Sequence, residues 1–202
     1  KYNGEWIDLD DHNRHGFTEG SKWTYLFCVL QDIPGMIEMM GGKDAFVAKL
    51  DRNFNEDHYR HDNEPGHHYI YLYNYCGQPW KTQELIRKHT RINYRNTPDG
   101  VNGNDDCGQM SAWYIFSAMG FYPVNPSDGK YQLGTPLFKK VTIKLGQDRK
   151  FVIQANREND RYIYVKEVLL NGDKLDRTWI THDEIMNGGK LEFVLTPEIP
   201  QK

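Results

Sequence analysis

The apolar residues of this 202-residue chain change their period near Pro126, and that change limits the folds open to it. Before it the spacing is helical. Phe46, Leu50 and Phe54 recur at i, i+4 and i+8 across Asp44 to Phe54, and Leu85, Ile86 and His89 share one side of Thr82 to Tyr94, with Glu84, Arg87, Lys88 and Arg91 expected to face water. Lys22 to Gln31 is apolar on most sides and is expected to stop before Pro34-Gly35; Tyr69 to Cys76 ends at Gly77. Gln109 to Met119 is apolar nearly all round, which predicts a helix buried on both sides, with Gly120 as its C-terminal cap and Pro123 blocking continuation. After Pro126 the runs shorten and alternate. Tyr131-Gln132-Leu133, Val141 to Leu145, Phe151 to Ala155, Val165 to Leu170 and Leu191 to Leu195 predict strands, with Asn171-Gly172 as a tight hairpin turn.

The fold class that follows is mainly α with a β segment, helical over 1–125 and stranded over 126–202. Amphipathic helices alternating with all-round apolar ones suit the outer and inner layers of an α/α toroid, whose active sites sit on the loops at one end. A content of 38% hydrophobic and 13% aromatic residues is enough for a real core. The net charge of -3, with scattered Lys and Arg, argues against nucleic acid as a partner. No apolar run approaches the roughly 20 residues that span a bilayer. Cys28, Cys76 and Cys107 form no metal-type pair and are expected to be small buried hydrophobes.

Two acidic positions stand out. Gly103-Asn104-Asp105-Asp106-Cys107-Gly108 opens the apolar helix at 109, and its glycines permit a turn that side chains would forbid. Taken alone, such a triplet is most simply a helix cap. Glu19 lies ahead of a helix between Phe17 and Trp23, where burial would raise its pKa; taken alone, it is a first-turn acid on a helix dipole. Asn63-Glu64-Pro65 lies among His58, His61, His67 and His68, but no Cys joins these histidines and their spacing does not suit zinc.

These residues fall into ordered blocks: Phe17-Thr18-Glu19-Gly20-Ser21-Lys22-Trp23; Asn63-Glu64-Pro65 with His67-His68; Tyr71 to Tyr75 with Gly77-Gln78-Pro79-Trp80; Pro98-Asp99-Gly100 with the acidic turn; and Gly120-Phe121-Tyr122-Pro123-Val124. The series resembles the C-terminal part of glycoside hydrolase family 92, the calcium-dependent exo-acting α-mannosidases, and the likeness fades over the last seventy residues or so. The resemblance implies part of an (α/α)6 toroid followed by an antiparallel β region, with the N-terminal remainder of the same protein as a partner. It also implies a secreted or periplasmic enzyme that removes terminal α-linked mannose from mannosides or N-glycans by inversion.

By the same resemblance Glu19 is the general acid and Asp106 the general base, with Asp105 and Asn104 beside it. Inversion implies a gap of roughly 6.5–9.5 Å between the two carboxyl groups. Ca²⁺ would take oxygen from Asn63 and Glu64. His61 and Asp62 match a His-Glu-Asn pattern of α-1,2-specific members, and Asp62, one methylene shorter, puts that linkage in doubt. Trp23 is the aromatic expected to meet the sugar, whereas Trp113 is expected in the core. The rival readings are another α/α toroid hydrolase acting on glucosides, or a non-catalytic carbohydrate-binding or assembly fragment.

Overall fold

A computed structural model describes residues 3–6 and 16–200 of the chain. Its helices are α1 (Lys22–Tyr25), α2 (Ile33–Met39), α3 (Lys43–Asn55), α4 (Pro79–Ile92), α5 (Gln109–Met119) and α6 (His182–Met186), with a 3-10 helix over Tyr69–Cys76. The strands are β1 (Phe121–Tyr122), β2 (Lys130–Leu133), β3 (Lys140–Gly146), β4 (Arg149–Asn156), β5 (Tyr164–Leu170), β6 (Asp173–Lys174), β7 (Trp179–Thr181) and β8 (Gly189–Thr196).

The α3 stripe packs as its period predicts: Phe46 and Leu50 are fully buried and Phe54 is half-buried. Pro34 does not stop a helix here. It lies in the first turn of α2, where a missing N–H costs nothing, and the Asp32 carboxylate caps that turn by accepting from the Gly35 N–H at 2.9 Å. The expected helix over 22–31 ends after Tyr25, and a separate 3-10 turn covers Leu30–Asp32. Tyr69–Cys76 winds as a 3-10 helix, buried almost throughout, and the Thr82 hydroxyl supports its Ile70 carbonyl at 2.8 Å. On α4, Ile86 and His89 face inward as expected, but so does Arg87, while Ile92 is exposed. α5 is buried on one side only: Met110, Trp113, Ser117 and Ala118 point in, and Ile115 is 56% exposed.

The strands form a three-stranded sheet, β1-β2-β7, and a five-stranded sheet, β3-β4-β8-β5-β6. An antiparallel region was expected, and one ladder departs from it. β4 and β8 run parallel, with Ile153 opposite Leu191 and Ala155 opposite Phe193. Asn171 and Gly172 both have positive φ (54° and 93°), so they make the tight turn between β5 and β6. Phe151, Ile153, Leu191, Phe193 and Leu195 fill a core on one face of this sheet, together with Phe121 and Ile180. A second core, built on Phe27, Phe46, Leu50, Tyr69 to Tyr73 and Trp113, lies among the helices. Cys76 is buried, but Cys28 and Cys107 are exposed, contrary to the expectation for all three.

Candidate active site

A strap of chain over residues 58–68 carries the site. Asn63 caps a short 3-10 turn over Glu64–Gly66, accepting from the Glu64 N–H at 3.2 Å, and Pro65 stiffens its first turn. The other end of the Asn63 amide donates to the Glu19 carbonyl at 3.4 Å. Glu19 is held with φ of 54°, an uncommon shape for a side-chain-bearing residue. These residues line one open cleft of about 420 Å³ together with Tyr25, Cys28, Leu30, Pro65 and His68. Glu19 is exposed, not buried as expected. One carboxylate oxygen of Glu64, Oε1, is buried with no hydrogen-bond partner. An acceptor left in that condition is costly unless something positive meets it.

The acidic turn reaches the same strap at Asp62. Gly103 has φ of +94°, and a Cβ placed on it would stand 2.5 Å from the Asp62 carbonyl oxygen. The position therefore needs glycine twice over, for conformation and for space. Asp62 and Asn63 are adjacent, so the Glu19 loop and the acidic turn converge on neighbouring residues of one strap. Within the turn the two acids differ. Asp105 accepts from the Ser111 N–H at 3.0 Å and from its hydroxyl at 2.6 Å; these bonds, the hydroxyl first, hold its carboxyl below the usual range. Asp105 thus satisfies a first-turn N–H of α5, whose N-cap position is Gly108. Asn104 and Asp106 are exposed, and the Asp106 carboxylate makes no such bond among the described residues. Gly103→Ala is expected to destabilise the chain by about 1–3 kcal/mol, read as a shift in urea midpoint. Gly108→Ala, with positive φ but open space around it, is expected to lose less; equal losses would mean that contact with Asp62 does not matter.

Two residues expected to meet the sugar are buried in this chain. Trp23 is 2% exposed and stacks on His58 at 4.4 Å with Arg52 over its ring, so it belongs to the interior and not to the cleft. His61 is buried with both ring nitrogens engaged: Tyr59 donates to Nδ1 at 2.8 Å, and Nε2 donates to Tyr94 at 2.9 Å, which itself donates to the Met110 carbonyl. Burial pushes its pKa down to about 2, so it stays neutral as a structural member. Asp62 is half-buried and bound by Arg60 through two nitrogens. Residues that sequence reasoning missed are Tyr25, Cys28 and His68. Tyr25 and Cys28 are signalled only by proximity in sequence to Glu19, whereas His68 stands in the same block as Glu64. No group of three or more His, Cys, Asp or Glu side chains suited to a metal occurs among the described residues.

The profile of the glycosyl hydrolase family 92 catalytic domain matches residues 1–197. An uncharacterized secreted glycosidase of Arthroderma benhamiae is 35% identical over 183 residues, which are 89% of this chain and 24% of that protein. The family GH92 α-mannosidase BT3965 of Bacteroides thetaiotaomicron, solved with mannoimidazole, is 40% identical with a TM-score of 0.86, over 91% of this chain and 26% of that one. The inverting mannosidase BT2199 of the same organism is 39% identical with a TM-score of 0.87, over 97% of this chain and 30% of that one. The chain spans between 24% and 30% of the length of these relatives.

Proposed function

This chain belongs to glycosyl hydrolase family 92, and we propose that it supplies the acid, the base and the calcium-binding oxygens of an inverting exo-α-mannosidase. The supporting observation is the convergence of the Glu19 loop and the acidic turn on Asp62 and Asn63. In an inverting hydrolysis one carboxylic acid protonates the leaving oxygen while a carboxylate on the opposite face takes a proton from water. Glu19 fits the first part and Asp106 the second. Asp105, already bonded to Ser111, positions the turn instead of joining the proton transfer.

The donor set suits a hard cation. The Glu64 carboxylate has a buried unpartnered oxygen, and Asn63 and Glu19 line the same cleft. When bound there, Ca²⁺ would supply positive charge for the hydroxyl oxygens of the sugar. Asn63 and Glu64 would hold it, and Pro65 would keep their backbone fixed.

The substrate is terminal α-linked mannose on a mannoside or N-glycan, in keeping with the mannosidase neighbours. The Arg60 clamp on Asp62 already occupies the carboxylate, which favours linkages other than α-1,2. The helices take their place in an (α/α)6 toroid completed by the N-terminal remainder of the protein. A secreted or periplasmic location accords with the relative named a secreted glycosidase; no described helix is long and apolar enough to cross a membrane.

The test is mannose release from α-1,2- and α-1,3-linked mannobiose by the longer protein that contains this chain, with calcium and again with a chelator. Release from the α-1,3 substrate that stops with chelator is expected. Chelator-resistant release of glucose from α-glucosides, without mannose release, would instead point to a toroid glucosidase. Binding of mannose without turnover would favour a carbohydrate-binding fragment.

A further inference from the structure

Ser111 holds the acidic turn at Asp105, and α4 holds it where it begins. Asn93, the residue directly after α4, is buried, and its N–H donates to the His89 carbonyl at 3.1 Å. Asn102, directly before Gly103, is tied to it twice. The Asn102 N–H donates to the Asn93 carbonyl at 3.0 Å, and Asn102 Nδ2 donates to Asn93 Oδ1, also at 3.0 Å. The chain between them closes on itself: Tyr94 pairs with Val101, and the Arg95 N–H donates to the Gly100 carbonyl at 2.7 Å. The first residue of the turn therefore follows the end of α4.

Asn93 has a further partner. Its Nδ2 donates to Nδ1 of His89 at 3.0 Å. His89 is buried, and burial, then the charge of Lys88, holds its pKa down to about 4, so the ring is neutral near pH 7. A neutral imidazole accepts at one nitrogen and donates at the other, and its hydrogen bonds decide which. Nε2 of His89 is buried with no hydrogen-bond partner, so the bond at Nδ1 alone selects the tautomer. Asn102, Asn93 and His89 thus form one line of side chains, in which the orientation of each depends on the next.

We propose that Asn93 and Asn102 are positioning residues: with His89 they fix where the acidic turn begins, and through it where Asp106 stands. The proposal rests on the reading of Asp106 as the base. From Asn102 the chain passes directly to Gly103 on the Asp62 carbonyl, and at Asp105 it is bound by Ser111, so the clamp is one of two hydrogen-bonded anchors on either side of the contact with the strap. The line can also run in reverse. A carboxylate at 102 can only accept, so Asn93 would turn Nδ2 towards it and offer Oδ1 to His89, whose proton must then sit on Nδ1.

That reversal supplies the test, and Asn102 is exposed, so its variants should fold. In the longer protein Asn102→Ala is expected to lower kcat by about 10–10²-fold with KM little changed, the cost of a misplaced catalytic group. Hydrogen exchange of the residue 102 amide, read by mass spectrometry, should quicken about 3–10-fold for the loss of one such bond. Asn102→Asp should restore most of kcat, and the ¹⁵N shifts of the His89 ring should show its proton moved from Nε2 to Nδ1; a merely structural contact would move neither. Unchanged exchange in Asn102→Ala overturns the clamp. Faster exchange with unchanged kcat overturns the positioning role, and so does a His89 tautomer that ignores residue 102. If the unaltered protein releases no mannose while exchange and tautomer respond as expected, the clamp stands and the mannosidase reading falls.

Discussion

Asp106→Asn is expected to lower kcat of the longer protein by about 10²–10⁴-fold, the usual contribution of a positioned general base, with substrate binding retained. The side chain is exposed at the mouth of the turn and is not engaged in capping, so the amide should leave the fold in place. What it removes is the capacity to accept a proton from water. Asp105→Asn makes the informative contrast. An amide there can still accept from the Ser111 N–H, so a modest fall in stability and a small effect on rate are expected. The check is initial rates on mannobiose for both variants, with circular dichroism to confirm folding. If Asp105→Asn abolishes turnover and Asp106→Asn does not, the two roles are exchanged and the base is Asp105.

That contrast rests on something the sequence alone left open. Asn104-Asp105-Asp106 taken alone reads most simply as a cap, and by resemblance as carrying the base; in the structure Ser111 engages Asp105 and makes no bond to the Asp106 carboxylate. Local signals were legible in the same way. The stripe of Phe46, Leu50 and Phe54 and the Asn171-Gly172 turn depend on period and on backbone conformation, both of which are written in a few adjacent residues. What depends on distant partners was not. The parallel pairing of β4 with β8 joins segments some forty residues apart, and nothing in either strand specifies the neighbour. Trp23 looked like a sugar platform because of its nearness to Glu19, yet His58 and Arg52 enclose it. Pro34 read as a stop because proline ends helices more often than it begins them in such a context; the capping carboxylate of Asp32 reverses that. Gly103 was recognised for its conformational freedom, while its second role, room for the Asp62 backbone, appears only when the two loops meet.

The meeting place of those loops is braced from below by one residue, and replacing it should produce the largest loss of stability in the chain. Trp113→Ala is expected to destabilise folding by about 3–5 kcal/mol, out of a total that for most domains is about 5–15 kcal/mol. Trp113 is fully buried on α5. Its indole N–H donates to the His67 carbonyl at 3.0 Å, its edge meets His61 at 4.3 Å, and its face stacks on Tyr94. His67 in turn bonds the His61 carbonyl at 3.0 Å, so the strap that carries Asn63 and Glu64 rests on this cluster at both ends of its turn. Alanine leaves a cavity and an unpaired carbonyl together. Trp113→Phe shrinks the cavity but keeps the carbonyl unpaired: the six-membered ring stays and the pyrrole edge with its N–H is lost, so a smaller loss of about 1–3 kcal/mol is expected. Urea titration followed by circular dichroism measures both. A loss under about 1 kcal/mol for Trp113→Ala, well below the range for large core truncations, would show that the helices repack around the gap. The strap would then be held by the Asp62 contact with Gly103 and the Asn63 bond to Glu19, and the bracing role assigned to α5 would be wrong.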